Sequence, residues 1–146
     1  MKFKDKITAG IGAGTAIALL GLLEKIEMQL MLLIAPFGAS VVLIFGVPSS
    51  PLANPKNVIL GHLLTASIGL LFVNYSEVNT LTIALATGLA VSLMLLTNTT
   101  HPPAGANPIL IMITAPSWQF LIFPIFTGTV IMVLTAKVIE RCRQRV

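Results

Sequence analysis

His101-Pro102-Pro103-Ala104-Gly105-Ala106-Asn107-Pro108 interrupts a chain that is otherwise almost continuously apolar. Three prolines and a glycine stand between two strongly apolar segments, where a chain in hydrocarbon should be regular helix. Each unpaired backbone group costs several kcal/mol in lipid, so irregular backbone persists there only when buried in protein or lining a wet cavity. A break of this kind marks a candidate site.

Composition sets the class. Of 146 residues, 55% are hydrophobic and 10% charged, with a mean hydropathy of +0.95, which is the profile of an integral membrane protein. The formal net charge of +4 comes from basic residues gathered at the ends, Lys2, Lys4 and Lys6, then Lys137, Arg141, Arg143 and Arg145. Such flanks face the cytoplasm under the positive-inside rule. A nucleic-acid partner would require a basic face interleaved with aromatics, and the sequence has none. The single Cys142 excludes an internal disulfide. No small-x-small cleavage site precedes Glu24-Lys25-Ile26-Glu27, so residues 7–23 read as an uncleaved first span. Nothing resembles an organelle transit peptide, and the expected location is the inner (plasma) membrane of a prokaryote, multi-pass, with both termini cytoplasmic.

A bilayer core of ~30 Å takes about 20 helical residues. Segments 7–23, 57–74, 80–97 and 118–137 qualify as spans. Segment 29–47 is interrupted by Pro36-Phe37-Gly38-Ala39-Ser40, and the short run 109–115 is stopped by Pro116. Tyr75 and Trp118 lie at segment ends, where aromatic rings anchor at the interface. Glycines at 10, 12, 14 and 21 suit close helix packing.

The two breaks match. Pro36-Phe37-Gly38-Ala39-Ser40 aligns with Pro103-Ala104-Gly105-Ala106-Asn107. Seven residues follow Ser40 before Pro48, and eight follow Asn107 before Pro116. Ser and Asn are favoured N-caps, and Pro108 suits a first helical turn. Each copy therefore reads as an elbow, an N-cap, a helix of ~11–12 Å and a proline stop. The expected fold is an all-α, polytopic membrane helical bundle forming one domain over 1–146. It is built from two repeats, about 1–74 and 80–146, each with a broken or re-entrant short helix. Three crossings per half make the repeat inverted and place Lys56 with the termini. Re-entrant breaks give four crossings instead and place Lys56 opposite. The inverted arrangement is preferred.

In that arrangement the positive ends of two short helices converge in mid-membrane and offer donors to an anion or polar solute without a buried Lys or Arg. The alternative is that these ends merely satisfy themselves and pack. The candidate substrate-binding residues are Pro36, Phe37, Gly38, Ala39, Ser40, His101, Pro102, Pro103, Gly105, Ala106 and Asn107. Gly38 and Gly105 would let backbone approach solute closely. Secondary candidates are Asn54, His62 and Thr100. His101, extended because a proline follows it, either faces the pathway as a protonatable group or caps backbone carbonyls at a turn. His62 is either an intramembrane titratable site or a packing histidine bonded to a neighbouring helix. Two histidines without an intramembrane carboxylate or paired cysteine make no metal site. Ser40, Ser49 and Ser50 have no Asp or Glu nearby in sequence, so an enzyme is not expected. No P-loop or cofactor signature is present.

Four ordered motifs then carry a family resemblance: 35–40 (Ala-Pro-Phe-Gly-Ala-Ser), 50–57 (Ser-Pro-Leu-Ala-Asn-Pro-Lys-Asn), Gly61-His62 and 101–106 (His-Pro-Pro-Ala-Gly-Ala). The chain resembles the HPP family of integral membrane proteins over about residues 7–137, with Asn54 where family members often carry Gln. Members are usually described with four spans, and plant plastid and cyanobacterial members are associated with nitrite transport. The resemblance implies a transporter or channel for a small inorganic anion, nitrite the favoured substrate. The alternative is a non-transporting structural or sensory membrane module. The expected partners are the lipid bilayer, the anion and further copies of the chain, a dimer favoured.

Overall fold

The computed structural model describes residues 3–26 and 32–144. Lys2, Glu27 and Arg145, read above as flanking or loop residues, lie outside them. The described chain is all-helical: α1 (Phe3–Ile26), α2 (Ala35–Gly46), α3 (Pro55–Tyr75), α4 (Thr80–Leu96), α5 (Asn107–Thr114) and α6 (Thr127–Gln144). Tight 3-10 turns at Pro51–Ala53, Pro102–Ala106 and Trp118–Leu121 join them.

Local chemistry accounts for most boundaries. The Asn54 side chain accepts from Lys56 N at the start of α3, and Pro55 opens that helix. Asn79 and Thr82 form a reciprocal capping box on α4, satisfying two otherwise orphaned donors. Asn98 and Ala115 take left-handed backbone (φ 53 and 46) and end α4 and α5, a conformation that stops helix propagation.

Three boundaries differ from the sequence reading. The first break is not an elbow: α2 starts at Ala35, with Ile34 as its N-cap, and runs through Gly38 and Ala39. Pro36 falls in the first turn, where its missing N–H costs nothing. Helix α2 is therefore 12 residues, ~18 Å rather than ~11–12 Å. The second copy keeps its break, because Pro102-Pro103 fold into a 3-10 turn and α5 has 8 residues. Among the described residues, three helices are long and apolar enough to cross a bilayer, over Phe3–Lys25, Pro55–Tyr75 and Trp118–Cys142, while α4 reaches 17 residues. The polar Thr97-Asn98 turn cuts α4 short. The last span bends at Phe123 (φ −126, ψ 115), since Pro124 has no N–H for the preceding turn.

Helix α3 is the hub, packed against α4, α5 and α6. Ala66 and Leu70 meet Ile111, Phe120 and Ile125, while Ile68 meets Ala86, Ala90 and Met112. A second core joins α1, α2 and α6 through Ala16, Leu20, Phe37, Val41, Phe45 and Met132. Glycines allow the closest approaches. A Cβ on Gly61 would stand 2.7 Å from Thr99 O, and one on Gly69 3.0 Å from Pro108 Cα. In α1, Gly12 is closed by Phe45, whereas Gly10 and Gly14 have nothing within 4 Å.

The contacts fix relative directions. Thr8, Phe45, Pro48, Pro55, Lys137 and Glu140 line one cleft. The beginning of α1, the ends of α2 and α6 and the beginning of α3 thus share one end of the bundle. Helix α5 runs alongside α3 in the same sense, Asn107 beside His62 and Ile111 beside Gly69. Helix α4 runs against α3, with Thr100 O accepting from Asn57 Nδ2 at 3.2 Å. Lys56 lies at the end where α1 begins and α6 ends. A cysteine at Lys56 is therefore expected to react with impermeant reagent from the same side as native Cys142, and one at Glu77 from the opposite side. Labelling of positions 56 and 142 from opposite sides would overturn this topology.

Candidate functional site

Four buried polar side chains from four separate stretches meet inside the bundle: Ser40 of α2, His62 of α3, His101 of the second break and Asn107 at the start of α5, each with no solvent exposure. His62 lies about two turns into α3. It is close to the level where Gly61 lets the 97–101 turn approach the helix backbone. Ser40 sits inside α2, so its hydroxyl cannot cap that helix. It lies 3.0 Å from Pro36 O, 2.8 Å from His62 Nε2 and 3.0 Å from His101 Nε2. His101 Nδ1 reaches Leu52 O at 2.8 Å. Asn107 likewise turns away from its own helix. Its Nδ2 lies 3.0 Å from His62 Nδ1, 3.2 Å from His62 O and 3.0 Å from Thr65 Oγ1. The rings stack loosely, with Phe37 edge-on to His62 at 5.4 Å and the two imidazole centroids 5.2 Å apart.

Donor and acceptor roles follow from partners that have one role each. A carbonyl only accepts, so His101 Nδ1 carries a hydrogen and donates it to Leu52 O. An amide nitrogen only donates, so His62 Nδ1 is an acceptor, and neutral His62 donates Nε2–H to Ser40 Oγ. The Thr65 hydroxyl donates to Gly61 O at 2.9 Å and so accepts from Asn107. When the Ser40 hydroxyl donates to His101 Nε2 rather than to Pro36 O, the path runs in one direction: Asn107, His62, Ser40, His101, Leu52 O. Two features are unbalanced. Asn107 Nδ2 has three acceptors for two hydrogens, and Asn107 Oδ1 is buried without a partner. A buried acceptor left open costs about 1–3 kcal/mol and suits an incoming donor.

The sequence candidates separate cleanly by position. Pro36, Phe37, Ser40, His62, His101 and Asn107 are brought together. Gly38, Ala39, Pro102 and Ala106 face outward, and Pro103 and Gly105 are half-buried. A Cβ on Gly38 or Gly105 would meet nothing within 4 Å, so neither glycine serves close approach to this cluster. Asn54 is exposed and caps α3. Thr100 Oγ1 reaches only its own turn, at Met94 O, 3.4 Å away. The expectation that Ser40 and Asn107 are N-caps is corrected: Ile34 and Ala106 occupy those positions without side-chain caps. His101 does cap a carbonyl, and His62 does bond neighbouring helices. Thr65 and the Leu52 carbonyl were not legible beforehand, although Thr65, three residues after His62, shares its helix face. Among the described residues no cluster of three or more His, Cys, Asp or Glu could hold a metal ion.

A model of the HPP transmembrane region matches residues 1–146, the whole chain. Two transmembrane proteins of Dictyostelium discoideum are similar. One is 41% identical, covering 85% of this chain and 46% of the relative. The other is 36% identical, covering 85% and 42%. The chain thus spans less than half the length of these curated relatives. No solved structure matches. The four motifs fall at the two breaks, the turn between α2 and α3, and the Gly61-His62 contact, and with the match over the full length they make this chain a member of the HPP family of integral membrane proteins.

Proposed function

We propose that the chain is a transporter or channel for a small anion, nitrite the favoured substrate, acting through the Ser40, His62, His101 and Asn107 cluster. One observation carries this reading: residues from both breaks, Ser40 and Asn107, meet on one intramembrane histidine. Titratable groups at such depth mark solute and proton pathways by default. The family's association with nitrite supplies the substrate. The halves 1–74 and 80–146 are read as an inverted repeat, α1, α2 and α3 corresponding to α4, α5 and α6. Each helix runs opposite to its counterpart. Exchanging the halves also preserves the principal neighbours, α1 on α2 and α6, α4 on α5 and α3. Rocking of one repeat on the other would open the cluster alternately to each side. The proposed location is the inner membrane of a prokaryote with cytoplasmic termini.

Self-association is proposed through α1. It buries 17% of its span, against 44% and 39% for the other two long spans, and its Gly10 and Gly14 are open for close helix contact. A dimer is the expected species in mild detergent, and a monodisperse, fully active monomer would exclude it. An enzymatic role is not proposed. Ser40 touches two imidazoles, but His62 offers it a donor rather than a base. His101 is oriented by a carbonyl rather than a carboxylate, and all three are closed to solvent.

That closure favours the second reading, a structural or sensory module in which the cluster only fastens helices together. Nitrite uptake into proteoliposomes separates the two. The transport reading expects uptake well above that of protein-free vesicles. Asn107→Ala should lower it about tenfold, the equivalent of ~1.4 kcal/mol from one buried hydrogen-bond set. Uptake by the unmodified chain no faster than leakage into empty vesicles would sink transport of this ion.

A further inference from the structure

The Ser40 hydroxyl has one hydrogen and two acceptors for it. Pro36 O and His101 Nε2 each lie 3.0 Å away, while His62 Nε2, at 2.8 Å, approaches as a donor. Two complete hydrogen-bond patterns therefore fit the same heavy-atom positions. In the first, His101 is neutral, donates Nδ1–H to Leu52 O, and accepts the Ser40 hydroxyl at Nε2. In the second, His101 carries hydrogens on both nitrogens. Nε2–H donates to Ser40 Oγ, and the hydroxyl turns to donate to Pro36 O. The patterns differ by one proton and one hydroxyl rotation, and no side chain has to move.

We propose that His101 is the binding site of a coupled proton, with the Ser40 hydroxyl as the selector that lets it load and unload. The inference rests on the transport reading and names its coupling ion. His62 is the poorer candidate for the same task. A proton on its Nδ1 would face the Asn107 amide hydrogens, and turning that amide would set Oδ1 about where Nδ2 stands, 3.2 Å from His62 O. Among the described residues, the groups facing the two imidazoles are Ser40 and Phe37 from α2, Asn107 from α5, the Leu52 carbonyl from the 51–53 turn, and each other. The only titratable group among them is the other imidazole. A buried imidazolium without a counter-charge is costly, so the proton resides there together with an anion. It is taken from hydronium on one side, held on Nε2, and returned to water with the anion on the other. The pair crosses without net charge.

The test uses the full chain in nanodiscs with 15N-histidine, whose two histidines are assigned with His101→Gln. With nitrite present, one histidine is expected to titrate, its signal vanishing in His101→Gln, while His62 keeps the Nε2–H form throughout. Ser40→Ala should move the His101 midpoint by about one pH unit or more, a tenfold change in proton affinity. Titration of His62 instead, of neither ring, or an unmoved midpoint in Ser40→Ala overturns the proposal, whether or not the chain transports anything. In proteoliposomes, corrected for protein-free vesicles, apparent nitrite affinity should rise about tenfold per unit fall of pH above the midpoint, the slope of one linked proton. Uptake should also be indifferent to an imposed membrane potential. His101→Gln should flatten the slope. Nitrite flux without this slope, or driven by potential, overturns the coupling. Absence of any flux beside the expected titration overturns the transport reading and leaves the proton site standing.

Discussion

Gly61→Ala is expected to destabilise the protein, although alanine is the better helix former by about 1 kcal/mol. The added methyl would stand 2.7 Å from Thr99 O and 3.1 Å from His101 Cβ. Both neighbours belong to a turn fixed by Thr99 N donating to Met94 O at 2.9 Å and by the Asn57 contact to Thr100 O. Backbone of this kind cannot step aside as a flexible side-chain tip can. Overpacking costs about 1–3 kcal/mol, so the net loss should reach up to ~2 kcal/mol. Pushing the turn outward also draws His101 from Ser40. The matched comparison is Gly38→Ala, also inside a helix, where the methyl meets nothing within 4 Å. That variant should gain about 0.5–1 kcal/mol. Thermal unfolding in one detergent measures the pair. Equal midpoints would mean that α3 and the 97–101 turn are less tightly apposed than described.

His62→Ala is expected to have the larger effect. It removes the shared partner of Ser40 and Asn107 and leaves a void between Phe37 and His101. Truncating a buried ring costs about 3–5 kcal/mol, and each polar group stranded beside it adds about 1–3 kcal/mol. A protein of ordinary marginal stability would assemble poorly under that load. His62→Gln retains an amide that can reach one partner and should recover part of the loss. The two variants also separate the functional readings. If the cluster only fastens helices, transport should return in His62→Gln in step with thermal stability. If solute passes the cluster, His62→Gln should regain the fold and stay impaired in flux. A His62→Ala protein as stable as the unmodified chain would show that the cluster contributes little to either.

The membrane class, most helical segments and the second break were legible in the sequence, because hydropathy and proline act locally; the first break was not, since α2 runs through 36–40. Pro48, Pro116 and the 97–100 polar run end helices wherever the rest of the chain goes. The resemblance between 36–40 and 103–107 also pointed to Ser40 and Asn107, both of which bond His62. Their roles were misread. A serine or asparagine after Gly-Ala looks like a cap, yet whether helix begins before or after it depends on the preceding residues. Ile34-Ala35-Pro36 can open a helix one turn early, whereas Pro102-Pro103 cannot sustain one. The meeting of Ser40 with His101 across 61 positions depends on how α2 and the second break lie against α3. That register is set by Gly61, Gly69 and the facing apolar side chains, none of which announces its partner. The Leu52 carbonyl carried no signal at all, since every residue has one. Local chemistry thus determined where this chain is helical and where it breaks, and tertiary packing alone decided which polar atoms the breaks bring together, because hydrogen bonds between distant segments depend on the relative placement of whole helices.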